Sequence, residues 1–330
     1  MIIVMKKNII FSIVLLLLLC SCSMSVAESF NYEGISNGQN NFLAGGKMAF
    51  KDNTLYLTTV SDFTLSSKTF AINNQGVTLL NETKNVQDYI ANTPVFYQTK
   101  DKIYICTDNW YEIDTKNNNF EKADSNVIYK LTEAEYSSDD LVIQSVVYGK
   151  KFNVKYKNKK LYTVKQEYRD LCVGNDKIYF VDFNNGIYFN NPEIDNGNSQ
   201  YLTDTLRDYS SHLSACGGYV YYNAVGDPKH DTGKRADSGL YCYSEKDKAH
   251  TLVIQGDVNS INCFEDMLFV ATQEGVYKCK KDKATKLCDE KADEIYILDK
   301  TWVYGLNNTT GKAFRVAQNG SITEVISFSD

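Results

Sequence analysis

Apolar residues arrive along this chain in short runs of four to six, each closed by Gly, Asn or Asp. One phrase keeps returning: an apolar strand, a polar turn, then apolar–aromatic–apolar. It reads Leu55-Tyr56-Leu57, Ile103-Tyr104-Ile105, Ile178-Tyr179-Phe180, Val220-Tyr221-Tyr222, Leu268-Phe269-Val270 and Trp302-Val303-Tyr304. Runs of this length, rich in β-branched and aromatic residues and bounded by turn formers, predict strands. Because apolar residues stand on both sides of the ring, those strands are expected to be buried on both faces. No sustained 3.6-residue periodicity competes; Val86 to Ala91 fits one helical turn.

From Tyr56 to Val303 the phrase advances six times over 247 residues, a mean of about 41, the period of a four-stranded propeller blade. Each blade alone exposes two apolar faces, and only neighbours stacked around a ring cover them. The chain is therefore read as all-β: a β-propeller of seven four-stranded blades, with six or eight as alternatives. The third blade is the least regular, with Val127-Ile128-Tyr129 assigned as its first strand, followed by Leu141 to Tyr148, Phe152-Asn153-Val154 and Leu161 to Val164. Residues 42–330 form the propeller in this reading, after a signal segment over 1–21 and an anchor with polar tether over 22–41.

The leader rests on a separate pattern. Lys6-Lys7 precede an apolar run ending in Leu15 to Leu19, a basic n-region and an h-region too short to serve as a span with a stop-transfer flank. Leu19-Cys20-Ser21-Cys22 resembles a bacterial lipobox, with Ser21 as the small residue before a lipidated Cys22. The expected location is the outer face of a bacterial cell membrane, held by the lipid. The alternative is secretion after cleavage following Ala27.

Composition adjusts this picture only slightly. With 24 Tyr and 16 Phe among 330 residues, rings that pack on a pleated surface and reach its edge with a hydroxyl are plentiful. The formal net charge of −6, read together with the lack of a Lys/Arg cluster, argues against nucleic acid and against anionic lipid as surface partners.

Seven cysteines follow Cys22, an odd number that cannot pair completely within one chain. Cys279 and Cys288 are symmetric about Lys283-Ala284, so a disulfide across that hairpin is one reading, and two buried thiols the preferred one. Cys172, Cys216 and Cys263 precede the second strand in three successive repeats. A metal site is weighed against small residues filling crowded inner strands, and the second is favoured because no CxxC or His cluster accompanies them.

The phrasing also resembles a known family. Glu33-Gly34-Ile35-Ser36-Asn37-Gly38, then Asp52-Asn53-Thr54-Leu55-Tyr56-Leu57, Asp176 to Tyr188 and Gly275-Val276-Tyr277-Lys278 are similar to repeats of propeller domains in clostridial secreted and lipid-anchored proteins. Those domains are grouped as similar to the low-density-lipoprotein-receptor-related propeller. The resemblance covers about residues 33–326 and implies a fold and a compartment. The Tyr-Trp-Thr-Asp signature of the receptor propellers does not occur.

Gly-x-Ser-x-Gly, His-Glu-x-x-His, phosphate-loop and EF-hand signatures are all missing, so no catalytic residue, cofactor or metal ligand is assigned. His212, His230 and His250 have no partner at motif spacing. Asp182 to Gly186 and Asn191 to Ser199 are carboxylate- and amide-rich, as Ca²⁺ loops are, but tight turns demand the same residues. The one non-generic segment is Asn223 to Ser238, which replaces a tight turn in blade five. Its Lys229, His230, Asp231, Lys234, Arg235 and Asp237 are the candidate binding residues. The loop Thr58 to Ser67, with Phe63, is expected beside it. The functional expectation is a non-catalytic, monomeric propeller scaffold that binds a protein or glycan. A propeller-type hydrolase or lyase acting on extracellular polysaccharide or peptide is the alternative, and a structural subunit of an envelope assembly a third reading.

Overall fold

In a computed structural model, described over residues 46–61, 66–83, 95–98, 102–106, 109–124, 134–137, 140–147, 149–157, 160–205, 208–225 and 238–327, the chain forms seven antiparallel four-stranded sheets. Blade one is β1–β4 (Met48–Lys51, Thr54–Ser61, Ser66–Asn73, Gly76–Thr83) and blade two β5–β8 (Val95–Gln98, Ile103–Cys106, Trp110–Asp114, Asn119–Lys122). Blade three is β9–β12 (Ala134–Ser137, Leu141–Val147, Lys151–Tyr156, Lys160–Val164) and blade four β13–β16 (Asp170–Gly174, Lys177–Val181, Gly186–Asn190, Gln200–Asp204). Blade five is β17–β20 (Asp208–Cys216, Tyr219–Val225, Gly239–Ser244, Ala249–Gln255) and blade six β21–β24 (Val258–Phe264, Met267–Thr272, Gly275–Lys280, Lys283–Cys288). Blade seven is β25–β28 (Glu294–Tyr296, Trp302–Asn307, Lys312–Ala317, Thr323–Ile326). No helix forms among the described residues.

The turns follow from their residues. Asp52 and Asn53 join β1 to β2 at φ 51° and 59°, and Asn175 and Asp176 join β13 to β14 at 49° and 58°. Two successive left-handed residues make the turn whose twist matches the flanking strands, and Asn and Asp tolerate it best after Gly.

The recurrent phrase turns out to be the second strand of each blade, and its alternation shares its side chains between two neighbours. In β14, Ile178 and Phe180 pack toward blade three while Tyr179 and Val181 pack toward blade five. In β18, Val220 and Tyr222 face blade four and Tyr221 faces blade six. Apolar clusters join blades three to four, four to five, five to six, six to seven and one to two in this way. The ring closes where Met48, Leu55 and Leu57 of blade one meet Tyr296, Leu298, Tyr304 and Leu306 of blade seven. Polar groups reinforce that seam: the Lys47 amide donates to the Tyr296 hydroxyl at 3.0 Å, and the Lys47 ammonium lies 2.8 Å from the Glu294 carboxylate. Each blade is built from consecutive strands, so closure is by packing and not by strand exchange.

The central tyrosines have a second task. The Tyr56 hydroxyl donates to Asn118 Oδ1 at 3.0 Å, Tyr179 donates to Glu245, and Tyr221 donates to the Lys281 carbonyl at 2.9 Å. In every case the acceptor belongs to the turn between the third and fourth strands of the next blade. The ring thus fills the inter-blade core and its hydroxyl latches the neighbour's turn. Burial pushes the Tyr56 hydroxyl up to about 12 and raises those of Tyr179 and Tyr221 as well, so all three remain donors at neutral pH.

Inner strands approach closely, which accounts for their small residues. A Cβ on Gly174 would stand 1.9 Å from the Ala215 carbonyl oxygen of the next blade. Asn262 donates to the Ile295 carbonyl, and the Ser260 hydroxyl accepts the Ile295 amide at 3.2 Å.

One expectation is extended and one corrected. Among the described residues the strand paired with β10 on the side away from β11 is β9, a strand not expected from the sequence, while Val127-Ile128-Tyr129 lie outside the described residues; Ala-Glu-Tyr-Ser carries no apolar run, and its pairing with β10 is interrupted by a register shift between Ile143 and Gln144. Thr58 to Ser67 is mostly not a loop, because β2 extends through Ser61 and β3 resumes at Ser66. Phe63 lies outside the described residues.

Candidate binding surfaces

The long insertion of blade five rises from a firm base. Its stems, β18 and β19, pair without interruption from Tyr219↔Ser244 to Ala224↔Gly239, and all six residues of β19 are buried. Ser238 is buried and its carbonyl accepts the Gly256 amide at 2.8 Å. The candidate binding residues Lys229, His230, Asp231, Lys234, Arg235 and Asp237 lie outside the described residues, as does Cys22.

Cys279 and Cys288 are not cross-strand partners. The turn of the β23–β24 hairpin is Lys281-Asp282, so Cys279 stands opposite Ala284 and Cys288 opposite Val276, and both thiols are free. The symmetry about Lys283-Ala284 misjudged the register because the turn falls at Lys281-Asp282; the bulge after Val276 then sets Cys288 opposite Val276. Cys216 and Cys263 do meet, on adjacent inner strands, with sulfurs 2.9 Å apart, and the Ser214 hydroxyl donates to Cys263 at 2.8 Å. The hydrogen bond from Cys263, together with burial, raises the Cys216 thiol well above its ordinary range; burial does the same to Cys172. Both effects favour the protonated, less reactive form of Cys172 and Cys216.

The remaining polar candidates are absorbed by the architecture. Asp182 Oδ1 accepts the Asn184 and Gly186 amides, both at 2.8 Å, and so forms the turn itself. Asp195 accepts the Asn191 amide and the Gln200 side chain, each at 2.7 Å. No group of three His, Cys, Asp or Glu among the described residues is arranged to hold a metal. His250 joins blade five to blade four: its ring nitrogens meet the Tyr222 hydroxyl at 2.9 Å and the Thr203 hydroxyl at 3.0 Å. Burial lowers its pKa, and lowers that of His212 to about 4, so both rings are neutral in the folded protein. His230 lies outside the described residues.

One surface was missed at the level of sequence. Between the β23–β24 hairpin and the turn from β27 to β28 lies a cleft of ≈ 480 Å³ lined by Lys278, Lys280, Lys281, Lys283, Gln318 and Asn319. The expectation of no Lys/Arg cluster is thereby corrected. The charge run Lys280-Lys281-Asp282-Lys283 was the available signal; nothing in the sequence joined Gln318 to it.

Seven four-stranded blades, joined by apolar clusters at six of their boundaries among the described residues, including the one from the seventh to the first, define a β-propeller. No protein-family model matches the chain, and no curated protein matches it. Among solved structures, the chain is similar to the propeller domain of the Trilobed protease from Pyrococcus furiosus, at 10% identity over 90% of this chain and 99% of that one, with a TM-score of 0.47. It is also similar to BamB from Moraxella catarrhalis, at 9% identity over 83% and 82% with a TM-score of 0.43. A chain of a mitotic checkpoint complex is similar at 8% identity over 91% of each chain, with a TM-score of 0.45.

Proposed function

We propose that this protein is an exported, lipid-anchored propeller that acts as a non-catalytic scaffold, capturing a protein or glycan through loops held by the ring. The observation that carries this reading is the base of the blade-five insertion. A long polar segment with Lys229, His230, Asp231, Lys234, Arg235 and Asp237 follows a strand pair that is continuous from Tyr219↔Ser244 to Ala224↔Gly239 and buried over most of its length. Binding residues concentrate on loops positioned by a rigid frame, because the frame removes the entropy of orienting them. The lipobox at Cys22 supports membrane anchoring, and the repeats at Asp52 to Leu57 and Asp176 to Tyr188 support placement with the clostridial surface propellers.

Two experiments test the reading. In cells, Cys22→Ala is expected to move the protein from the membrane fraction to the medium; retention in the membrane overturns the anchor. On intact cells, chemical cross-linking is expected to trap a partner with the wild type. The Lys229→Ala/Lys234→Ala/Arg235→Ala variant is expected to trap it at least tenfold less, and equal trapping removes the loop from the account.

A further inference from the structure

The cleft between blades six and seven lies at the opposite end of the strands from the blade-five insertion, since it is built on turns between third and fourth strands and the insertion joins a second to a third. Its chemistry is one-sided. Lys278 and Lys280 are two apart on β23 and so share a face, and Lys283 of β24 stands directly opposite Lys280. Successive ammonium stems along that face are about 7 Å apart, two residues of strand rise. Lys281 adds a fourth cation from the turn, and Asp282 is the one carboxylate in the lining. Lys280, Lys281 and Lys283 are exposed, and none is held in an ion pair among the described residues.

A second observation points the same way. Gln318 Nε2, on the blade-seven wall of this cleft, is buried without a hydrogen-bond acceptor, the one such side-chain atom among the described residues. Folded proteins satisfy nearly all such donors, so an unsatisfied one in a residue of the cleft wall calls for an explanation, and a ligand acceptor reached by a turn of that side chain supplies one. The Lys278 ammonium holds the same wall by donating to the Gln318 carbonyl at 3.2 Å. The four ammonium groups and Gln318 Nε2 are all donors, and Asp282 is the one carboxylate among them.

We infer that this cleft binds an acidic saccharide chain, with the lysine row taking its anionic groups and the amides of Gln318 and Asn319 taking its hydroxyls. A saccharide fits better than an acidic peptide because the lining offers spaced cations, a Thr285 hydroxyl and two side-chain amides, with Leu287 its single apolar residue. The net charge of −6 repels a long polyanion at distance, so the interaction is short-ranged, confined to a few sugar units and weakened by salt.

The test is fluorescence anisotropy with labelled oligogalacturonate, a sulfated oligosaccharide, a sugar-phosphate oligomer, neutral dextran and poly-glutamate. At least one acidic saccharide is expected to bind and dextran not to bind, and the binding is expected to fall at least tenfold between 50 and 500 mM NaCl, given a Debye length of roughly 3 Å at 1 M salt. Which acidic saccharide binds best assigns carboxylate, sulfate or phosphate. Lys280→Glu/Lys283→Glu should weaken binding about tenfold or more, as expected for reversing two contact charges, with an unchanged unfolding midpoint. Gln318→Leu, which removes the orphan donor, should also weaken binding while the fold holds. Silence of every acidic saccharide at millimolar concentration overturns the inference. So does full binding by the Lys280→Glu/Lys283→Glu variant, or equally tight binding of poly-glutamate. The loop variant at Lys229, Lys234 and Arg235 should leave this binding intact, so the two surfaces fail or succeed separately.

Discussion

Tyr179→Phe isolates the latch between blades. The substitution keeps the ring in the cluster it forms with Cys172, Val181, Leu213 and Ala215, and removes only the hydroxyl that donates to Glu245. A hydrogen bond to a charged acceptor contributes about 1.5–3 kcal/mol net. Glu245 retains the Lys177 ammonium and an Asn175 amide contact, so the loss should fall near the middle, about 2 kcal/mol. Tyr221→Phe breaks a bond to a neutral carbonyl, and about 1 kcal/mol is expected. Tyr56→Phe breaks one to an amide on a surface turn, and less than about 1 kcal/mol is expected. Guanidinium unfolding followed by fluorescence and circular dichroism gives all three values, provided the slopes agree. A Tyr179→Phe/Glu245→Ala cycle, in which each single variant removes the bond, should return most of the 179 effect as coupling. A loss under about 0.5 kcal/mol at 179, or the reverse ranking, refutes the latch.

Other consequences follow from the same contacts. Gly174→Ala drives a methyl into the Ala215 carbonyl and should cost about 3 kcal/mol or more, measured by the same unfolding curves; a neutral result contradicts the close approach of blades four and five. Burial lowers His212 to about 4 against 6.5 unfolded, so the unfolded chain binds the extra proton between those values. Stability should therefore fall as pH drops from 6.5 to 4, by up to about 3 kcal/mol relative to His212→Asn; parallel curves for the two proteins would show that the ring titrates normally. Cys172, Cys216, Cys242, Cys263 and Cys279 are buried thiols and should resist maleimide until denaturant is added, whereas prompt labelling of the native protein counts against the packed inner strands.

The second strands were legible in sequence because they carry both signals at once, an apolar run and a turn of Asn, Asp or Gly before it. Ile178-Tyr179-Phe180 read as a strand buried on two sides, and its neighbours on both sides are other blades. What could not be read was the use of the tyrosine hydroxyl, since its acceptor lies a blade away, 62 residues on for Tyr56 and 60 for Tyr221. β9 escaped notice because the half-polar Ala-Glu-Tyr-Ser does not stand out against loop sequence. The Cys216–Cys263 contact depends on how inner strands meet across a blade boundary, which spacing alone does not fix. The lysine cleft failed for a similar reason: one wall is a hairpin visible as a charge run, and the other is a turn about 40 residues away.

The central claim is that the ring is architecture and that capture belongs to the loops it holds. The most direct measurement replaces residues 226–237 with Asn-Gly, a two-residue turn suited to the hairpin that already pairs Ala224 with Gly239. Partner trapping and the guanidinium midpoint are then read on the same preparation. The account predicts an unchanged midpoint with trapping lost. Trapping that survives the replacement, or a ring that unfolds without the insertion, would contradict it.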